Sequence, residues 1–235
     1  MVKENSKKKM LQNYECKFCG AKFHREVTLS THMCVKKQRY LDSDNAGVRM
    51  GFRVFQRFYE LSVSSKKPKT LQEFIDSSYY TGFAKFGHYL VALKPLYIDQ
   101  FIDSLIKNSV PLVDWTNEIV YYTYIADLVK REPADAGTER TVTEIAAWCE
   151  LNNTEFSDFF LKVSANEAAH MIRGGKISPW VLYLSKTGGD LLDRFNADHA
   201  KIIGTVIDAG FWMKKFKNNE EDVEFIKNLL DQAGI

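Results

Sequence analysis

The stretch Tyr14–Cys34, YECKFCGAKFHREVTLSTHMC, decides how the first part of the chain folds. Cys16 and Cys19 have two residues between them, so both thiolates can chelate one ion from a β-knuckle. Twelve residues then separate Cys19 from His32, enough for the chain to return on a helix and close the site with an imidazole. Phe23 and Leu29 supply a miniature core, too small to fold without metal. Only Met33 stands between His32 and Cys34. On a continuous helix, positions i and i+2 lie about 200° apart, so both cannot face one ion. The spacing therefore predicts that the helix ends or distorts near His32 and that Cys34 ligates from the exit turn. His24 is the competing ligand. A C-x2-C-x4-H-x4-C arrangement would use it, but its last ligand falls at Leu29, and that reading fails. Three thiolates and one imidazole favour tetrahedral zinc, so the predicted cofactor is zinc on Cys16, Cys19, His32 and Cys34.

From Tyr14 to His32 the pattern resembles the C2H2 zinc finger, and it departs from that family at the fourth ligand. The family leaves three to five residues between its last two ligands, whereas this chain leaves Met33 alone. Carried over by position, the resemblance places Arg25, Thr28 and Thr31 where such fingers read bases, with Arg25 suited to a bidentate contact with guanine. One finger spans about three base pairs. No second finger or finger linker follows, so base reading, backbone contact, protein binding and a bracing role all stay open.

Charge points in the same direction. Residues 1–40 hold ten Lys/Arg against three acids, a net of +7, and the remainder holds 22 against 27, a net of −5. A basic head on a slightly acidic body suggests an anionic partner for the head. Lys36, Lys37 and Arg39 follow the last ligand directly. Arg49, Arg53 and Arg57 recur at i, i+4 and i+8, which lines three guanidiniums along one helix face. That stripe extends the basic surface across phosphates, or is a solvated face partly paired with Glu60.

Beyond residue 45 the periodicity is helical and no β-rich alternation appears. Asn45 caps a helix to about Ser62, and Thr70-x-x-Glu73 is a capping box. Further helices are predicted at 78–93, 97–107, 115–130, 141–151, 154–163, 165–173, 179–184, 190–195, 198–207 and 220–231. Pro133–Gly137 reads as a loop and a possible internal boundary, and Gly188-Gly189 as a turn. The expected organisation is a disordered basic tail over 1–13, a finger over 14–40 with a β-knuckle and short helix, and a mostly α domain over 41–235. Aromatics at 13% exclude disorder over the whole length. No uncharged apolar run approaches the ~20 residues of a membrane helix. The N-terminal lysines have no apolar stretch behind them, so no secretory signal is expected.

The body offers no catalytic constellation. Glu167-x-x-His170 has di-iron spacing but lacks its companion motif and two helix glutamates. Gly174-Gly175-Lys176 lacks the rest of a phosphate loop. Cys149 reads as a buried small hydrophobe. Gly47 and Gly51 read as sites of close helix packing.

The runs CKFCGAKFHREVTLSTHMCVKKQRYL, GVRMGFRVFQRFYEL and GKISPWVLYLSKTGGDLLDRF resemble zinc-finger proteins of T4-like tailed bacteriophages. This resemblance implies a phage protein acting in the bacterial cytoplasm and implies no activity. The expected function is an accessory factor whose basic head holds nucleic acid weakly, mainly through its backbone, while the helical body docks a polymerase or replication protein. The alternatives are an interaction or virion-assembly component in which the finger only braces, and a metal-dependent nuclease.

Overall fold

The computed structural model describes residues 13–63 and 67–235, so nearly all of the expected tail lies outside the described residues. The chain forms two compact units, one up to Leu93 and the other over Lys94–Ile235.

The first unit begins with an antiparallel ribbon, β1 (Tyr14–Glu15) against β2 (Lys22–Phe23), with Tyr14 opposite Phe23. Two short helices follow, α1 (Glu26–Thr31) and α2 (Val35–Leu41), then a 3-10 turn over Asp42–Asp44. The long helix α3 (Ala46–Val63) starts where the Asn45 carboxamide accepts the Gly47 amide at 2.9 Å. Thr70 and Glu73 form the predicted capping box of α4 (Leu71–Asp76), and α5 (Tyr80–Leu93) completes the unit.

The α3–α5 pair is packed backbone to backbone. A Cβ placed on Gly87 would lie 2.1 Å from the Gly47 carbonyl and 2.3 Å from the Gly51 amide nitrogen. A Cβ on Gly51 would lie 2.6 Å from the Phe83 carbonyl. Three glycines thus let the helices touch, as read from Gly47 and Gly51, and a buried set of Val54, Phe55, Phe83 and Leu90 packs around the crossing. The Phe55 ring meets Phe74 at 5.2 Å and Phe83 edge-on at 5.4 Å.

The second unit is also helical. It contains α6 (Ile98–Lys107), α7 (Glu118–Arg131), α8 (Ala134–Asn152), α9 (Phe159–Lys162), α10 (Ala165–Arg173) and α11 (Pro179–Leu184). It ends with α12 (Gly188–Asp193), α13 (Ala197–Ile203), α14 (Ala209–Lys217) and α15 (Glu220–Ala233). Trp180 and Trp212 are fully buried and meet edge-on at 6.1 Å, and Trp212 Nε1 donates to the Val206 carbonyl at 2.7 Å. A buried ion pair joins the start of α8 to the segment before it. Arg140 grips Glu132 through both guanidinium nitrogens at 2.5 and 2.6 Å, and its Nε donates to the Gly175 carbonyl at 2.6 Å.

Several expectations are corrected. Pro133–Gly137 is not a loop, because Ala134 onward is the first turn of α8. Gly137 sits there for close contact: a Cβ would lie 2.7 Å from Ser178 Oγ and 2.8 Å from Glu132 Oε1. Gly188 starts α12 rather than a turn, and its missing side chain leaves room for the Leu182 carbonyl 2.1 Å from where a Cβ would be. The helix expected over 154–163 is a 3-10 turn over Phe156–Asp158 followed by the four residues of α9. The helix expected over 198–207 stops at Ile203, and α14 follows unpredicted. Among the described residues no helix is long and apolar enough to cross a membrane.

Candidate metal centre

The ribbon and its turn set the first two donors. The Cys16 amide donates to the Ala21 carbonyl at 2.9 Å and the Gly20 amide to the Cys16 carbonyl at 2.8 Å. Gly20 takes φ +73, a left-handed conformation that only glycine adopts at little steric cost. This tight turn presents Cys16 and Cys19 to the same side. Burial raises the Cys16 thiol pKa, but the Phe18 and Cys19 amides and the neighbouring sulfurs outweigh it and bring the thiol below its ordinary value.

The other two donors come from the corner between α1 and α2. His32 caps the C-terminus of α1 in an extended conformation, φ −68 and ψ 122, with its amide donating to the Leu29 carbonyl at 3.1 Å. The helix therefore ends at His32, near where the spacing predicted that it would end or distort. Cys34 is the N-cap of α2, and its Sγ accepts the Lys37 amide at 3.4 Å. The Phe23 ring packs on the His32 imidazole at 4.8 Å between centroids.

These elements bring Cys16, Cys19, His32 and Cys34 together, with their donor atoms all within 4.8 Å of one another and Cys19 Sγ 3.3 Å from His32 Nε2. Such a group can hold a metal ion. Cys16 is buried, His32 and Cys34 half-buried, and Cys19 exposed. His24 is exposed and stands outside the group. Among the described residues this is the one group of three or more His, Cys, Asp or Glu side chains placed to share an ion. Glu167 instead accepts from Trp148 Nε1 at 2.8 Å, and Cys149 is buried with its thiol pKa pushed up by that burial.

The basic residues have diverse placements. Arg25 is the exposed N-cap residue of α1, and Thr28 is exposed on its first turn. The Thr31 hydroxyl donates back to the Val27 carbonyl at 3.0 Å. Lys36 pairs with Asp76 at 2.5 Å, and Lys37 Nζ donates to the His32 carbonyl at 3.0 Å. Arg39 donates to the Ile75 and Ser77 carbonyls at 2.7 and 3.2 Å and stacks 4.4 Å from the Tyr80 ring centroid. It thus satisfies the carbonyls at the end of α4. Arg49 and Arg53 are exposed on α3, while Arg57 pairs with Glu60 at 3.0 Å.

Two features carried no sequence signal. One is the Glu132–Arg140 pair, whose partners flank the segment read as a loop. The other is a cleft of about 1140 Å³ in the second unit, lined by Tyr97, Asp103, Lys107, Tyr124, Arg131 and Glu132 among others. No family model, no curated protein and no solved structure matches the chain.

Proposed function

We propose that the Cys16–Cys19–His32–Cys34 group holds one zinc ion and that its unit is the nucleic-acid-binding part of an accessory factor. Three thiolates and an imidazole suit zinc, for which tetrahedral bonds of about 2.3 Å to sulfur and 2.0–2.1 Å to nitrogen place the donors roughly 3.5–3.8 Å apart. All four donor atoms lie within 4.8 Å of one another, so closing onto an ion asks for at most about 1 Å of movement. Zinc would act structurally, since four protein donors leave no open position for a substrate.

The observation that carries the nucleic-acid reading is a coincidence of charge with fold. Residues 1–93 hold 17 Lys/Arg against 8 Asp/Glu, a net of +9, and residues 94–235 hold 15 against 22, a net of −7. The boundary between the compact units is therefore also the boundary between a cationic and an anionic half. Lys22, Arg25 and Arg49 supply exposed positive charge in the first unit. The anionic unit docks a protein such as a polymerase or replication component. On the phage resemblance, the setting is an infected bacterial cytoplasm.

Zinc-loaded full-length protein should bind oligonucleotides at roughly micromolar Kd, with affinity falling steeply with salt as counterions are released. Fluorescence anisotropy at two salt concentrations, paired with metal analysis, tests both halves. About one zinc per chain and salt-sensitive binding are expected; metal-free protein or no binding at low salt would overturn the respective half.

A second reading has a specific observation in its favour. Lys36, Lys37 and Arg39 are used within the unit, tying the metal corner to α4 and α5. In that reading the metal is a brace, and the partner is a protein.

A further inference from the structure

We infer that the polynucleotide this unit holds is single-stranded and that its bases stack on the side chains of Tyr40 and Phe18. The inference rests on the nucleic-acid reading above and narrows it to one class of ligand.

The duplex-reading apparatus is meagre. Helix α1 has six residues, about 9 Å at 1.5 Å per residue, and the chain turns away at His32. The Thr31 hydroxyl is engaged by its own helix, and three of the expected phosphate-binding cations, Lys36, Lys37 and Arg39, are engaged within the unit. Arg25, Thr28 and Thr31 are all exposed, with the Thr31 hydroxyl proton already committed to the Val27 carbonyl.

What the metal corner presents instead is aromatic and apolar. Tyr40 on α2 is 45% exposed, and its ring lies 5.2 Å from that of Phe18 in the knuckle turn. Lys17 Nζ lies 5.0 Å from the Phe18 ring centroid. Met33 at 54%, Val35 at 66% and Leu41 at 55% exposure belong to the same corner and to α2. Phosphates gain nothing from covering such groups, whereas the faces of unpaired bases do. An aromatic ledge with cations at hand is how sequence-tolerant single-strand sites are built. The net charge of +9 over residues 1–93 supplies attraction for the backbone between stacked bases.

The test is anisotropy with labelled oligothymidylate of fifteen nucleotides and with a fifteen-base-pair duplex, both at low salt with zinc-loaded full-length protein. The single strand should bind at least tenfold more tightly. Tyr40→Ala should weaken single-strand binding roughly ten- to a hundredfold and leave duplex binding unchanged, and Tyr40→Phe should restore it. Tyr40→Trp guards against a folding defect, since stacking should quench its added fluorescence when oligothymidylate binds. Equal affinity for both probes, or no response of single-strand binding to Tyr40→Ala, would overturn the inference while leaving nucleic-acid binding intact. No binding of either probe would overturn the underlying reading as well.

Discussion

Replacing Gly87 with Ala should destabilise the first unit by about 2 kcal/mol. The added Cβ would lie 2.1 Å from the Gly47 carbonyl and 2.3 Å from the Gly51 nitrogen, both backbone atoms of α3. Ordinary contact begins near 3.4 Å, so α3 and α5 must part by about 3.4 − 2.1 = 1.3 Å. No rotamer change can relieve a clash with backbone. A gap of 0.5–1 Å already forfeits a quarter to a half of each dispersion contact, and Val54, Phe55, Phe83 and Leu90 are buried around this crossing. Overpacking of this kind typically reaches about 3 kcal/mol. Alanine in a helix interior returns about 1 kcal/mol relative to glycine, so steric cost wins by about 2 kcal/mol. At roughly 4–8 °C per kcal/mol for a unit of this size, the midpoint should fall about 8–16 °C by calorimetry or circular dichroism. Gly189→Ala is the control: nothing lies within 4 Å of its Cβ, and the residue is helical, so it should hold or raise stability. An unchanged or higher midpoint for Gly87→Ala would show that α3 and α5 do not meet through their backbones.

Three further outcomes are expected. With zinc bound, Cys34 should resist alkylation and become reactive once a chelator strips the metal, whereas Cys149 should stay unreactive until the chain unfolds; mass spectrometry of iodoacetamide-treated protein checks this, and labelling of Cys34 in the zinc-loaded form would remove it from the ligand set. Glu132→Ala should cost about 3–5 kcal/mol by stranding the Arg140 guanidinium, since the two side chains are only 4% and 9% exposed; an apolar pair, Glu132→Leu with Arg140→Met, should recover most of the loss in urea titrations, and a mild single mutant would show that water reaches the pair. Lys69, with the Thr70 amide and hydroxyl, holds the Glu73 carboxyl down at about 2. Because the folded value lies below the unfolded one, its stabilising contribution is present above about pH 4.5 and is lost as pH falls toward 2; Glu73→Gln should flatten that part of the melting-temperature profile, and parallel profiles would refute the assignment.

The gathering of Cys16, Cys19, His32 and Cys34 was legible in the sequence because its constraints are local. Two residues between cysteines suit a knuckle, and one residue between His32 and Cys34 makes the helix end or distort if both are to share an ion. Asn45 and the Thr70/Glu73 box were legible for the same reason, since a cap acts within four residues. The destinations of Lys36 and Arg39 were not, because Asp76 and the Ile75 carbonyl are brought to them by α3 and α4 folding back. Three cations that read as phosphate contacts are thus spent inside the unit. Gly137 misled because glycine reads locally as a loop residue, while here the close approach of Ser178 and Glu132 requires it. Helix α14 was missed although Trp212 and Phe216 have helical spacing, since Gly210 and the lysines around them blur the apolar face.

Cys34 does two jobs with one sulfur: it belongs to the four-donor group that could hold an ion, and it caps α2 through the Lys37 amide. Helix α2 in turn carries Lys36 and Arg39 into contact with Asp76, the end of α4 and Tyr80. If an ion binds there, its occupancy and the seating of α2 are thermodynamically linked, and linkage is reciprocal. Whatever free energy the ion lends to the helical contact, the contact lends back to the ion. The affinity of the site is then a property of the whole first unit rather than of four side chains, and a peptide cut to residues 13–34 would hold metal more weakly than the intact chain.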